Sequence, residues 1–222
     1  MKQYLEQYGV LLREVDVWFA ACNARYPDLI ACRRGCAACC RGLFDITLLD
    51  ALYMAQGVAA LSADLQNELR TAAIGRLASL QALVPGFTAP WLLNCLDEAS
   101  WQTLMPFEDE TPCLLLSDEG VCRIYDHRPM TCRLHGIPNI DIGEEDFSEG
   151  WCTRNFVDLD PLSLNELRYP FKGLFSRELL LFREATRQLF GVPYREIDTL
   201  IPAVFVLDMV AIAASLASVP HE

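Results

Sequence analysis

Four cysteines fall within nine residues, Cys32-Arg-Arg-Gly-Cys36-Ala-Ala-Cys39-Cys40, in a chain that averages about one cysteine per twenty-two residues. Intervals of two and three residues let a single loop wrap several thiolates around one inorganic centre. Small Ala37 and Ala38 and flexible Gly35 allow the backbone to approach such a centre closely. Residues 25 to 46 show no regular apolar period, and Pro27 closes the helix before them, so the segment reads as a metal-binding loop.

Four more cysteines follow singly: Cys113, Cys122, Cys132 and Cys152. Cys113-Leu-Leu-Leu, the turn Ser117-Asp-Glu-Gly120 and Val121-Cys122-Arg-Ile-Tyr125 read as a tight β-hairpin, with Cys113 and Cys122 near its outer ends. Arg128-Pro129 suits a helix start, because proline is favoured at the first helical position, and this puts Cys132 in the first turn. Folding these stretches against the first loop gathers thiolates from afar, so metal binding becomes folding free energy. Cys22 sits on the apolar stripe of a helix, and Cys95 lies in a short helix over 91–101 with no cysteine partner nearby. Both are expected to be core residues.

A structural zinc site draws on two paired knuckles, each Cys-x2–4-Cys. Only the first loop fits, since the later cysteines are nine, ten and twenty residues apart. An iron-sulfur cluster taking three ligands from one loop and the remainder from distant residues tolerates that spacing. A [4Fe-4S] cluster is therefore the favoured cofactor and zinc the alternative. Cys32, Cys36 and Cys39 also resemble the Cys-x3-Cys-x2-Cys of radical S-adenosylmethionine enzymes. The chain is short and helical, however, lacks their strand-helix alternation, and has Ala38 where an aromatic usually stands.

A net charge of −12 argues against a nucleic-acid partner, because an acidic surface is repelled by every phosphate it approaches. Only Lys2 and Lys172 are lysines; the other basic residues are arginines. Six of them, Arg33, Arg34, Arg41, Arg123, Arg128 and Arg133, stand within or beside the dense cysteine stretches. Four thiolates around Zn(II), or around a cluster core of charge +2, leave a net negative charge that is costly to bury. Arginine stays protonated and offers several N–H donors, so it compensates that charge. Binding an anionic substrate beside the metal is the other role open to these side chains.

Lys2, Glu6, Arg13, Glu14 and Asp16 break any apolar run at the start of the sequence, so no secretory signal is read and the expected location is cytoplasmic. In that reducing setting clustered cysteines indicate metal or redox chemistry before disulfides. The apolar run from Ile201 to Val219 carries Pro202 and Asp208; it is read as a buried or partner-facing helix, not a membrane span.

The remaining chain is expected to be mainly α. One helix covers 3–24, with Tyr4, Tyr8, Leu11, Val15, Trp18 and Cys22 on one face. A second begins near Thr47, whose spacing to Asp50 makes a capping box with Asp in place of Glu. A third runs from Ser62 to the stop at Pro85-Gly86. Residues 139–170 read as an acidic, irregular loop. C-terminal helices over 176–218 complete the chain, the first over 176–190 and the last over 198–218. Its 222 residues suffice for a single domain with a real core, the metal-binding segment occupying about 30–155.

Cys32-x3-Cys36-x2-Cys39-Cys40, then Cys113, then Cys122-x2-Tyr125-x2-Arg128-Pro129-x2-Cys132-Arg133 resembles the YkgJ-like cysteine-cluster family, described as zinc- or iron-chelating. The resemblance covers about residues 30–155. It implies a ligand set of Cys32, Cys36, Cys39, Cys40, Cys113, Cys122, Cys132 and Cys152, leaving Cys22 and Cys95 outside. A similar cluster occurs in flagellin lysine N-methylases, a likeness confined to the cluster.

Arg33, Tyr125, Arg128, Arg133 and His135 are the residues expected to brace the metal. The favoured function is an iron-sulfur protein for redox or iron-sulfur-dependent chemistry, of which an oxidoreductase is one form, with a redox or protein partner. A structural zinc module and an S-adenosylmethionine-binding modifying enzyme are the alternatives.

Overall fold

The computed structural model describes residues 1–106, 109–148 and 150–217. Helix α1 (Lys2–Arg25) buries Tyr8, Leu11, Val15, Trp18 and Cys22 of the expected face, with Leu5 and Leu12 beside them, while Tyr4 is half-buried. It packs on α2 (Leu48–Ala59), on the short α5 (Met130–Leu134) and on α6 (Phe171–Phe190). Trp18 anchors the contact: its indole N–H donates to the Leu167 carbonyl at 2.9 Å and its ring meets Phe171 edge-on.

The capping box before α2 is present. Thr47 Oγ1 accepts from the Asp50 amide at 3.1 Å, and the Asp50 carboxylate accepts from the Thr47 amide. Asp50 does more than cap. Its Oδ1 also accepts from the Tyr8 hydroxyl at 2.5 Å and from the Met130 amide at 2.9 Å, which ties α1 and α2 to the start of the helix carrying Cys132. Helix α3 (Ala63–Leu83) starts at the Ser62 cap and buries Leu69, Ala73, Leu77 and Leu80. Helix α4 (Glu98–Leu104) follows a single 3-10 turn at Leu93–Cys95, so the short helix expected over 91–101 is displaced toward the C-terminus.

The C-terminal region departs from the uniform helix expected over 198–218. Strand β2 (Asp198–Leu200) pairs antiparallel with strand β1 (Asp45–Thr47), placing Ile46 opposite Thr199. A 3-10 segment, Ile201–Val206, follows and packs on α2 and α3. Only then does α7 (Met209–Ala217) begin; residue 218 lies outside the described residues. Pro202 has no amide to donate, and Asp208 Oδ1 accepts from the amides of Val210 and Ala211. The charge that interrupts the apolar run is thus an N-terminal cap. Helix α6 starts at Phe171, five residues ahead of the predicted 176, and ends as expected on Gly191 in the left-handed conformation. Among the described residues no helix is long and apolar enough to cross a membrane.

The hairpin expected over 113–125 forms no strands: it is reduced to a turn closed by a single bridge, which puts Cys122 beside the turn and not at an outer end. Ser117 and Val121 close the turn, Gly120 takes φ +73°, Leu116 bridges Cys122, and the Arg123 amide donates to the Leu115 carbonyl at 2.8 Å. The acidic stretch 139–170 is irregular, as expected, with 3-10 turns at Pro161–Ser163 and Asn165–Leu167. It is not simply solvated, because Asp141 is buried and accepts from the amides of Gly143 and Lys172.

Candidate metal centre

A cavity of about 80 Å³ opens between the cysteine loop, the hairpin and α5. Six cysteines line it: Cys36, Cys39 and Cys40 from the loop, Cys113 and Cys122 from the hairpin, and Cys132 from α5. Phe44, Met54, Leu115, Ile124 and Ile201 supply apolar walls. The loop and hairpin are joined through their backbones, since the Cys113 amide donates to the Cys40 carbonyl at 2.9 Å and the Gly42 amide to the Thr111 carbonyl at 2.8 Å.

Cys32 and Cys152 stand together beside this cavity. Asn155 donates to Cys32 Sγ at 3.2 Å, and the Cys152 amide donates to the Gly136 carbonyl. Gly136 is required at this point: at φ +114° it faces the thiol, and a Cβ there would lie 3.0 Å from Cys32 Sγ and 3.9 Å from Cys152 Cβ. All ten cysteines are free thiols. Among the described residues, no three His, Cys, Asp or Glu side chains already form a group that could hold a metal ion.

Burial and neighbouring thiols raise most of these sulfurs above the ordinary thiol range. Burial pushes the thiols of Cys113 and Cys122 up, and raises Cys132 well above the ordinary range with the help of Cys113 and Cys122. Cys39 is raised by its hydrogen bond to Cys40 and by burial, while the same bond lowers Cys40. Burial also raises Cys32, against the opposing pull of the Asn155 hydrogen bond.

The expected bracing residues divide. Arg128 lines the cavity, stacks 3.8 Å above the Tyr125 ring and reaches Asp16. Arg34 lies over the same ring at 5.1 Å. His135 caps the end of α5 at the cavity wall, its pKa lowered by burial. Arg133 is buried and turns to Asp16 and to the carbonyls of Arg128 and Asp126, so it fixes the loop that presents Tyr125 and Arg128. Arg33 is exposed, and its carbonyl accepts from the Cys36 amide at 2.9 Å. Arg41 pairs with Glu110.

Sequence reasoning missed Arg154, whose guanidinium points at Cys36 Sγ from 4.0 Å, and Asn155, which is almost wholly buried. They stand two and three residues after Cys152, and that proximity was the available signal. Of the cysteines outside the expected ligand set, Cys22 is buried in the core, its thiol pushed up to about 11 by burial. Cys95 is exposed, against expectation, because the turn that carries it faces outward. His127 packs on Tyr53 and Gly57, and His221 lies outside the described residues.

A helical scaffold that brings cysteine-bearing segments to one cavity defines a metal-binding protein of the cysteine-cluster class. The chain belongs to the CxxCxxCC family, described as "Putative zinc- or iron-chelating domain", whose profile matches residues 31–153. No curated protein and no solved structure matches it.

Proposed function

We propose that this is an iron-sulfur protein of the cytoplasm, in which Cys32, Cys36, Cys39, Cys40, Cys113, Cys122, Cys132 and Cys152 are the metal ligands and a [4Fe-4S] cluster occupies the cavity. The supporting observation is the space itself. A zinc ion draws four sulfurs to about 2.3 Å and leaves no void among them. The cavity here has about 80 Å³, where a single water needs roughly 10 to 15 Å³. Space on that scale, walled by thiols, suits an inorganic core of several atoms. The donor set fits as well: iron-sulfur clusters are held by cysteine thiolates, and their potentials are tuned by burial and by hydrogen bonds to sulfur.

When bound, the cluster would supply one-electron transfer. The chain's own residues shape that property. Phe44, Met54, Leu115 and Ile124 supply apolar walls beside the sulfurs, and Arg128, held by Tyr125 and Asp16, sets a fixed positive charge beside them. Anaerobically purified protein is expected to contain iron and acid-labile sulfide in equal amounts and to absorb broadly in the visible. Stoichiometric zinc with a colourless solution would overturn the reading in favour of a structural zinc module.

A further inference from the structure

The eight cysteines are not equivalent in space. Cys113, Cys122 and Cys132 pack against the apolar cluster built from β1, α2, α3 and the 201–205 turn. Cys32 packs against the other main cluster, formed around α1 and α6. The charges felt by each thiol divide in the same way. Cys40 has Cys113, Cys132 and Cys122 as its neighbours, whereas Cys32 has Cys152, Cys36 and Cys39. Among the sulfurs, Asn155 donates to Cys32 and Arg154 to Cys36, while Arg128 lines the cavity that all six of its cysteines share. At the seam stand the adjacent Cys39 and Cys40, whose thiols bond to each other. Cys39 also senses Cys132, as a residue on the boundary must.

We infer that the chain builds two abutting four-thiolate centres, an inner one from Cys40, Cys113, Cys122 and Cys132 and an outer one from Cys32, Cys36, Cys39 and Cys152. The assignment rests on the metal-binding reading above but not on which metal is bound. It assigns the adjacent Cys39 and Cys40, which both line the cavity, to different centres. A dense cysteine run whose members serve separate clusters is established chemistry in two-cluster ferredoxins. It also gives Asn155 and Arg154 a role, as donors to the outer sulfurs, and places the outer centre nearer the surface, beside exposed Arg33, Arg34 and Arg154.

The test is metal stoichiometry on the full chain, purified anaerobically as the wild type, Cys152→Ala, Cys113→Ala and the double variant. Two centres predict a two-fold loss of metal in each single variant and near-complete loss in the double. Unchanged metal in Cys152→Ala, or complete loss in a folded Cys113→Ala protein, overturns the division. Should the variants not fold, the wild type answers alone through alkylation read by mass spectrometry. Cys32, Cys36, Cys39 and Cys152 are half-exposed and are expected to resist alkylation until a chelator is added. Labelling of these four at the same rate before and after chelation overturns the outer centre. Zinc in place of iron would sink the iron-sulfur reading while leaving the two-fold steps intact, so the two failures are distinguishable.

Discussion

Asn155 donates through Nδ2 to Cys32 Sγ at 3.2 Å, across 123 residues of sequence. The same nitrogen bonds the Gly136 carbonyl at 2.6 Å, and Oδ1 accepts from the Ala31 amide at 2.8 Å. One buried amide therefore joins the start of the cysteine loop to the segment carrying Cys152. Asn155→Ala leaves the Ala31 amide unpaired and the Gly136 carbonyl with only its longer bond from the Cys152 amide, and a loss of about 1 to 3 kcal/mol is expected in denaturant melts. Asn155→Asp keeps the acceptor for Ala31 but turns a carboxylate oxygen toward sulfur. It is expected to lower metal content further than its effect on stability accounts for, as read by elemental analysis of the soluble fraction.

Gly57 lies where α2 crosses the turn leading to Arg128. A Cβ at this position would fall 2.7 Å from His127 Cβ. Gly57→Ala must push that turn away, and a destabilisation of about 1 to 3 kcal/mol is expected from overpacking. Chemical denaturation monitored by tryptophan fluorescence measures it; a melt matching the wild type would show that the turn yields freely.

Glu178 on α6 faces the Asp50 carboxylate through Tyr8. The Tyr8 hydroxyl has one proton, which it gives to Asp50 at 2.5 Å, and Glu178 stands 3.2 Å from the same oxygen. Burial, then the Asp50 charge, push the Glu178 carboxyl up to about 8. A raised folded-state pKa means that the folded chain binds this proton more tightly. The associated stability is full below about 4.5, the unfolded value, and is lost as pH rises through about 8. The melting temperature is thus expected to fall between pH 5 and 9, and Glu178→Gln to flatten that dependence. Parallel pH profiles of the two proteins would reject the assignment.

Metal uptake carries its own pH dependence. Burial raises the thiols of Cys113, Cys122 and Cys132, so each would have to release a proton to serve as the proposed ligand. Affinity is expected to weaken as pH falls from 8 to 6, by about tenfold per pH unit for each proton released per ion, in competition titrations with a chromogenic chelator. An affinity indifferent to pH would mean that these sulfurs are not the ligands.

Local signals carried much of the fold. The four-three spacing of α1, the Thr47-Asp50 box and the Ser62 cap each describe interactions within one or two turns, and each appears as expected. The β1–β2 pairing was not legible, because nothing within Asp45–Thr47 announces a partner some 150 residues on. Asp208 was read as a charge inside a buried helix; its role as a cap depends on Pro202 having already ended the regular ladder. At the site, six of the eight cysteines singled out in the sequence line the cavity, and Cys32 and Cys152 stand beside it. Nearness to Cys152 marked the neighbourhood of Asn155, but which neighbour turns its amide to sulfur is set by the fold, through the contact with Cys32.

The pairing of β1 with β2 makes the metal-binding segment dependent on the tail of the chain. The family profile stops at residue 153, yet Ile201 closes one wall of the cavity, and β1, directly after the cysteine loop, is completed only by residues 198–200. A polypeptide emerging from the ribosome exposes all eight sulfurs well before the residues that shut the cavity exist. Assembly of the centre is therefore a late event in biosynthesis, and the nascent thiols must stay reduced and unclaimed until then.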